Sequence, residues 1–139
     1  MGYPPEKQSL GILILRWFAV LPASIASLAL IVTLLWVIQR YFSWGEGAIA
    51  NFLDTVWNGF LGGLAWVYAG AYTAPIANKL PISIVLLVLL ALFVGAMFLG
   101  LIASPTPLEH GGVAAVLQMV MLMVGSGTAV YQLKDEQTN

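Results

Sequence analysis

The chain has no cysteine, a single histidine and few charges, with five Lys and Arg against six Asp and Glu in 139 residues. Each scarcity closes a class of function. Without cysteine there is no disulfide framework, no thiol nucleophile and no thiolate metal site. A net charge of −1 with no cluster of Lys or Arg gives no basic patch to grip a phosphate backbone, so nucleic acid is set aside as a partner. The one histidine, His110, stands beside Glu109 in a turn-rich loop, and a lone imidazole does not make the several-ligand set of a haem or catalytic metal site. No nucleophile and base pair, Gly-rich phosphate loop or carboxylate dyad occurs. No catalytic, cofactor or metal residue is assigned, and the chain reads as non-enzymatic.

Apolar residues fill the space that charge leaves. They make up 60% of the chain and charged residues only 8%, far from the soluble average of roughly 25% charged. Four long uncharged stretches, Trp17 to Ile38, Val56 to Asn78, Leu80 to Leu108 and Gly111 to Leu133, each reach the ~20 residues that cross a bilayer as helix. The expectation is an all-α integral membrane protein with four transmembrane helices in an antiparallel bundle, near 12–39, 48–78, 82–103 and 111–133. Residues 1–139 then form a single transmembrane domain whose lipid bilayer is the first partner, and 134–139 are a polar tail, disordered beyond its first turn.

Charge placement predicts orientation. Arg16 sits among apolar neighbours in LGILILRWFAVLPAS, where a cation at the bilayer centre would cost roughly 2.5–3.5 kcal/mol. At a helix end it can snorkel to the headgroups, so Arg16 and Trp17 read as interface anchors. Arg40 and Trp44 read as the anchors of the opposite belt, and Lys79 marks a turn between Pro75 and Pro81. With four spans both termini share a side, which collects Lys7, Arg16, Lys79 and Lys134 against Arg40 alone. Lys and Arg favour the cytoplasmic side, so both termini are placed in the cytoplasm. The compact format and the lack of an organellar presequence fit a bacterial cytoplasmic membrane.

Helix 2 carries the most pattern. Asn51, Asp54, Thr55 and Asn58 line one face, while Gly59 with Gly63 forms a GxxxG pair that Gly70 extends. Small residues let helices approach closely and polar ones bond across them, so helix 2 suits a central position with several neighbours. Helix 4 repeats the theme with Gln118, Gly125 and Thr128 on one strip. An amide as deep as Gln118 needs a partner in lipid, and Asn58 is the expected one. Asp54 falls near the helix 2 N-terminus, where the helix dipole favours a carboxylate.

Two functions compete. The first is an accessory or self-associating subunit of a membrane complex, held as a homo-oligomer or to other membrane-protein subunits by the small and polar faces of helices 2 and 4. The second is a small ion channel or transporter with a polar path near Asp54, Asn58 and Gln118. Trp57, Trp66, Tyr68 and Tyr72 offer a third, weaker theme, a surface for a lipid or quinone headgroup.

Overall fold

The computed structural model describes residues 10–42, 47–103 and 112–138, which hold four helices: α1 (Leu10–Phe42), α2 (Ala48–Thr73), α3 (Leu80–Ile102) and α4 (Gly112–Thr138). Trp44, Glu109 and His110 lie outside the described residues. Long runs of Leu, Val, Ile and Ala have no polar side chains to compete with the backbone ladder, and in lipid only a helix satisfies every backbone group within one segment. α1 runs through Pro22 as one element of 33 residues. Just beyond it, Ser24 Oγ donates to Val20 O at 3.0 Å and Ser27 Oγ to Ser24 O at 2.8 Å.

Two boundaries differ from expectation by more than a helical turn. Helix 2 stops at Thr73, short of residue 78, because Pro75 disfavours helical backbone in the residue before it. Ala74 is accordingly extended, at φ −61° and ψ 136°. Helix 4 continues to Thr138, so the expected tail is its last turns. Lys, Glu and Gln are good helix formers, and the contact of Glu136 with Tyr72 described below holds these turns in place. α3 begins with Pro81 in its first turn, where a missing N–H costs nothing, and Asn78 Oδ1 accepts from Leu80 N at 3.0 Å.

α2 lies in the middle. It packs against each of the other three helices, whereas α1 brings its backbone close to α2 alone. Bonds from Arg16 to Thr73 and from Ser27 to Ala65 set α1 and α2 antiparallel. Bonds from Ser126 to Gly63, Tyr68 to Gln132 and Tyr72 to Glu136 set α2 and α4 parallel. The Leu10 end of α1 and the Thr138 end of α4 therefore share one end of the bundle.

The core sits toward that same end. Val67, Ala71, Leu86, Leu90, Ala129 and Leu133 are each at most 1% exposed. At the opposite end, large side chains such as Trp36, Ile49, Phe52, Leu53, Leu99 and Ile102 stay exposed. We refer to these as the closed and the open end.

Three helices, α1, α3 and α4, are long and apolar enough to cross a membrane. α2 is not among them, and its position explains why. Its buried residues are Gly59, Gly62, Gly63, Trp66, Val67, Gly70 and Ala71, most of them small. Apolarity is needed where a helix faces lipid, and from Gly59 to Ala71 one side of α2 is faced by other helices instead, while Ile49, Phe52, Leu53 and Trp57 before it are exposed.

Candidate functional site

The α2–α4 seam is made of backbone. A Cβ on Gly59 would lie 2.7 Å from both Gln118 O and Met121 Cβ. One on Gly63 would strike Leu122 O and come within 2.8 Å of Ser126 N, and one on Gly125 would strike Phe60 O. Only glycine permits such an approach from both sides. Ser126, buried in the seam, has its Oγ 2.8 Å from Leu122 O and 3.2 Å from Gly63 O, sharing its proton between its own helix and α2.

Other faces of α2 meet α1 and α3. A Cβ on Gly62 would lie 2.8 Å from Leu28 Cδ1, and one on Gly70 would strike both Ser24 Oγ and Leu86 Cδ1. Ser27 Oγ lies 3.0 Å from Ala65 O, and Trp66 Nε1 donates to Leu86 O at 3.0 Å. The glycines that offered themselves as contacts for other chains are thus occupied within this one. α2 has three neighbours, which take up its small surface. On α3, by contrast, Gly95 faces open space, and burial falls instead on Ile82, Ser83, Leu86 and Leu90.

Toward the open end the polar strip is only partly assembled. Asn58 Nδ2 donates to Asp54 Oδ1 at 2.6 Å and to Asp54 O at 3.0 Å. The expected bond between Asn58 and Gln118 does not form, because Asn58 turns along its own helix to Asp54. Gln118 meets α2 through its backbone carbonyl at Gly59, and its half-buried side-chain amide has no hydrogen-bond partner among the described residues. The exposed Asn51 amide is in the same position. Thr128 Oγ1 donates to Val124 O at 2.8 Å within α4, the usual way a helical threonine satisfies itself. The structure thus joins Asp54 to Asn58 and leaves Asn51, Gln118 and Thr128 outside that pair.

No family model, characterised protein or solved structure matches this chain. Its reading therefore rests on the geometry alone.

The closed end holds an arrangement that composition did not announce. Arg16, half-buried on α1, donates its Nε to Thr73 O at 3.3 Å, and Lys79 Nζ donates to Ala74 O at 2.9 Å. Both carbonyls belong to the C-terminus of α2, whose last turn has no basic residue of its own. A helix end carries unpaired carbonyls and about half a unit of negative charge, which cations stabilise. Desolvation, and secondly the charge of Arg16, hold the Lys79 ammonium below the ordinary lysine range. The sequence signal for this clasp was present but indirect: a helix stopped by Pro75 without a C-terminal glycine, and one arginine on the neighbouring apolar helix. Arg40, the anchor of the opposite belt, is exposed in the last turn of α1.

Two tyrosines complete this end. Tyr68 and Tyr72 stack with ring centroids 6.0 Å apart and planes 16° from parallel. Tyr68 OH pairs with Gln132 Oε1 at 2.6 Å, and Tyr72 OH donates to Glu136 Oε2 at 3.2 Å. With Trp66 bonded to α3, three of the four aromatic residues singled out on helix 2 tie helices together, and only Trp57 stands exposed without a bond across helices.

Proposed function

We propose that this chain is a non-enzymatic integral membrane subunit, with α2 as its fourth span and both termini in the cytoplasm of a bacterial cell. It acts by associating with a second copy or with another membrane protein. The observation that carries this reading is the Gln118 amide, which has no hydrogen-bond partner among the described residues. Gly59, against which Gln118 packs, lies 14 residues from Thr73, or about 21 Å along α2. With the clasp at one interface, that depth is still inside a hydrocarbon core of ~30 Å. An amide left without a partner there costs on the order of a few kcal/mol. A polar group from another chain, reaching the open end beside Asn51 and Gln118, removes that cost.

The test is the mass of the particle extracted in a native-membrane nanodisc, with every co-purifying protein identified. A homo-oligomer or a stoichiometric partner is expected, and Gln118→Leu is expected to weaken it while leaving the isolated fold intact. A wild-type monomer with no companion would remove the proposal. The rival reading, an ion channel or transporter near Asp54, Asn58 and Gln118, meets the seam at Gly63 and Gly125, where α2 and α4 touch backbone to backbone. Ion flux into proteoliposomes that is altered by Asp54→Asn would favour that rival, with the path running between copies.

A further inference from the structure

The C-terminus of α2 meets more positive charge than one helix end requires. One helix C-terminus presents about half a negative unit. Two full cations meet it, on the adjacent carbonyls of Thr73 and Ala74. Arg16 gives its Nε to this carbonyl, which leaves its terminal NH2 groups, the part of the fork that grips phosphate oxygens best, uncommitted to it. Lys79 commits one of its three donors. The charge of Arg16 acts on the Lys79 ammonium, while the carboxylate of Glu136 at this end is turned to Tyr72.

The surroundings specify what kind of anion fits. Ile12 and Leu13, one turn before Arg16 on its own face of α1, are exposed at 51% and 37%, and Trp17 and Leu21 continue an exposed apolar surface beside it. A small soluble anion would gain nothing from that surface. An anion bearing acyl chains would lay them along α1 while its phosphate met the two cations. We propose that Arg16 and Lys79 together bind the phosphate of an anionic phospholipid, from the leaflet at the closed end of the bundle. Basic pockets between helices on the cytoplasmic side are a known form of lipid recognition, and the inner leaflet is the anionic one. The proposal rests on the membrane reading above, and on the closed end facing the cytoplasm for its choice of leaflet.

Native mass spectrometry of the full chain, purified in mild detergent, stripped of lipid and titrated with phosphatidylglycerol or phosphatidylcholine, tests the site. The expected result is retention of phosphatidylglycerol about thirtyfold better than phosphatidylcholine, from two cations that each favour an anionic surface. The double variant Arg16→Gln, Lys79→Gln is expected to lose the preference. Arg40→Gln, at the other end of α1, is expected to keep it. Equal retention of the two lipids by the wild type, or a preference surviving in the double variant, overturns the proposal. Displacement of phosphatidylglycerol by millimolar inorganic phosphate would also overturn it, by showing a site for free anions. Because Arg16 holds α2, helicity is checked by circular dichroism, and Lys79→Gln alone, expected to lower the preference with the clasp of Arg16 intact, decides if the double variant unfolds. A chain that stayed soluble without detergent would instead sink the membrane reading itself.

Discussion

Replacing Gly63 by alanine puts the packing argument at risk most directly. The added methyl would strike Leu122 O and crowd Ser126 N and Oγ, at 2.8 and 3.0 Å. None of these is the far end of a flexible side chain, so relief must come from α4 moving away. Overpacking of this kind costs about 1–3 kcal/mol. The separation also stretches the bond from Ser126 to Gly63, worth an average of about 0.6 kcal/mol between membrane helices. Against this, alanine is the better helix former by up to about 1 kcal/mol. The net expectation is a loss between roughly 0.6 and 2.6 kcal/mol, from the three terms just given. Gly95→Ala is the control, because a methyl there meets nothing within 4 Å and only the propensity gain applies. Both variants can be unfolded by titrating dodecyl sulfate into mixed micelles while following tryptophan fluorescence. Gly63→Ala should unfold earlier than wild type and Gly95→Ala at the same point or later. If the two shift together, the backbone seam is not what holds α2 to α4.

Other substitutions probe the remaining contacts. Trp66→Phe removes the indole N–H that donates to Leu86 O and should cost about 0.6–1.7 kcal/mol in the same titration, from the average to the largest value for bonds between membrane helices; an unchanged midpoint would discount that bond. Ser27→Ala deletes the polar link from α1 to Ala65 O, and a destabilisation near 0.6 kcal/mol is expected, read as the same midpoint shift. Arg16→Gln removes a cation from the α2 C-terminus, worth about 0.3–1 kcal/mol. Its signature is local, faster amide exchange in the last turn of α2 with Gly59 and Gly63 still protected; uniform exchange along α2 would show that Arg16 does not act as a cap.

Helix existence was legible because long uncharged runs have only one way to satisfy their backbone in lipid. Their ends were less so. The Pro75 that stops α2 is visible in the sequence, yet the apolar pattern on both sides of it masks the break. The polar residues after Leu133 read as a solvated tail, since nothing in the sequence says that Tyr72 reaches Glu136 across 64 positions. The glycine spacing on α2 was readable, but which glycine meets which neighbour depends on rotation about the helix axis, and that is set by all three neighbours at once. Gln118 shows the limit most clearly. Its depth was inferred from hydropathy, but its expected partner Asn58 had a nearer acceptor at Asp54, one helical turn away. Local competition of that kind is decided by rotamers rather than by pattern.

Because α1 leans on α2 alone, the order in which the chain is made bears on how it enters the bilayer. The bond from Arg16 to Thr73 joins residues 57 positions apart. At about 5–20 residues per second, α1 waits roughly 3–11 s during synthesis before its clasp can close. In the proposed topology α2 is the least apolar span and emerges next, when α1 is the sole surface of this chain able to receive it. α1 then serves as a template during insertion, and α2 gains its full set of neighbours only when α3 and α4 follow.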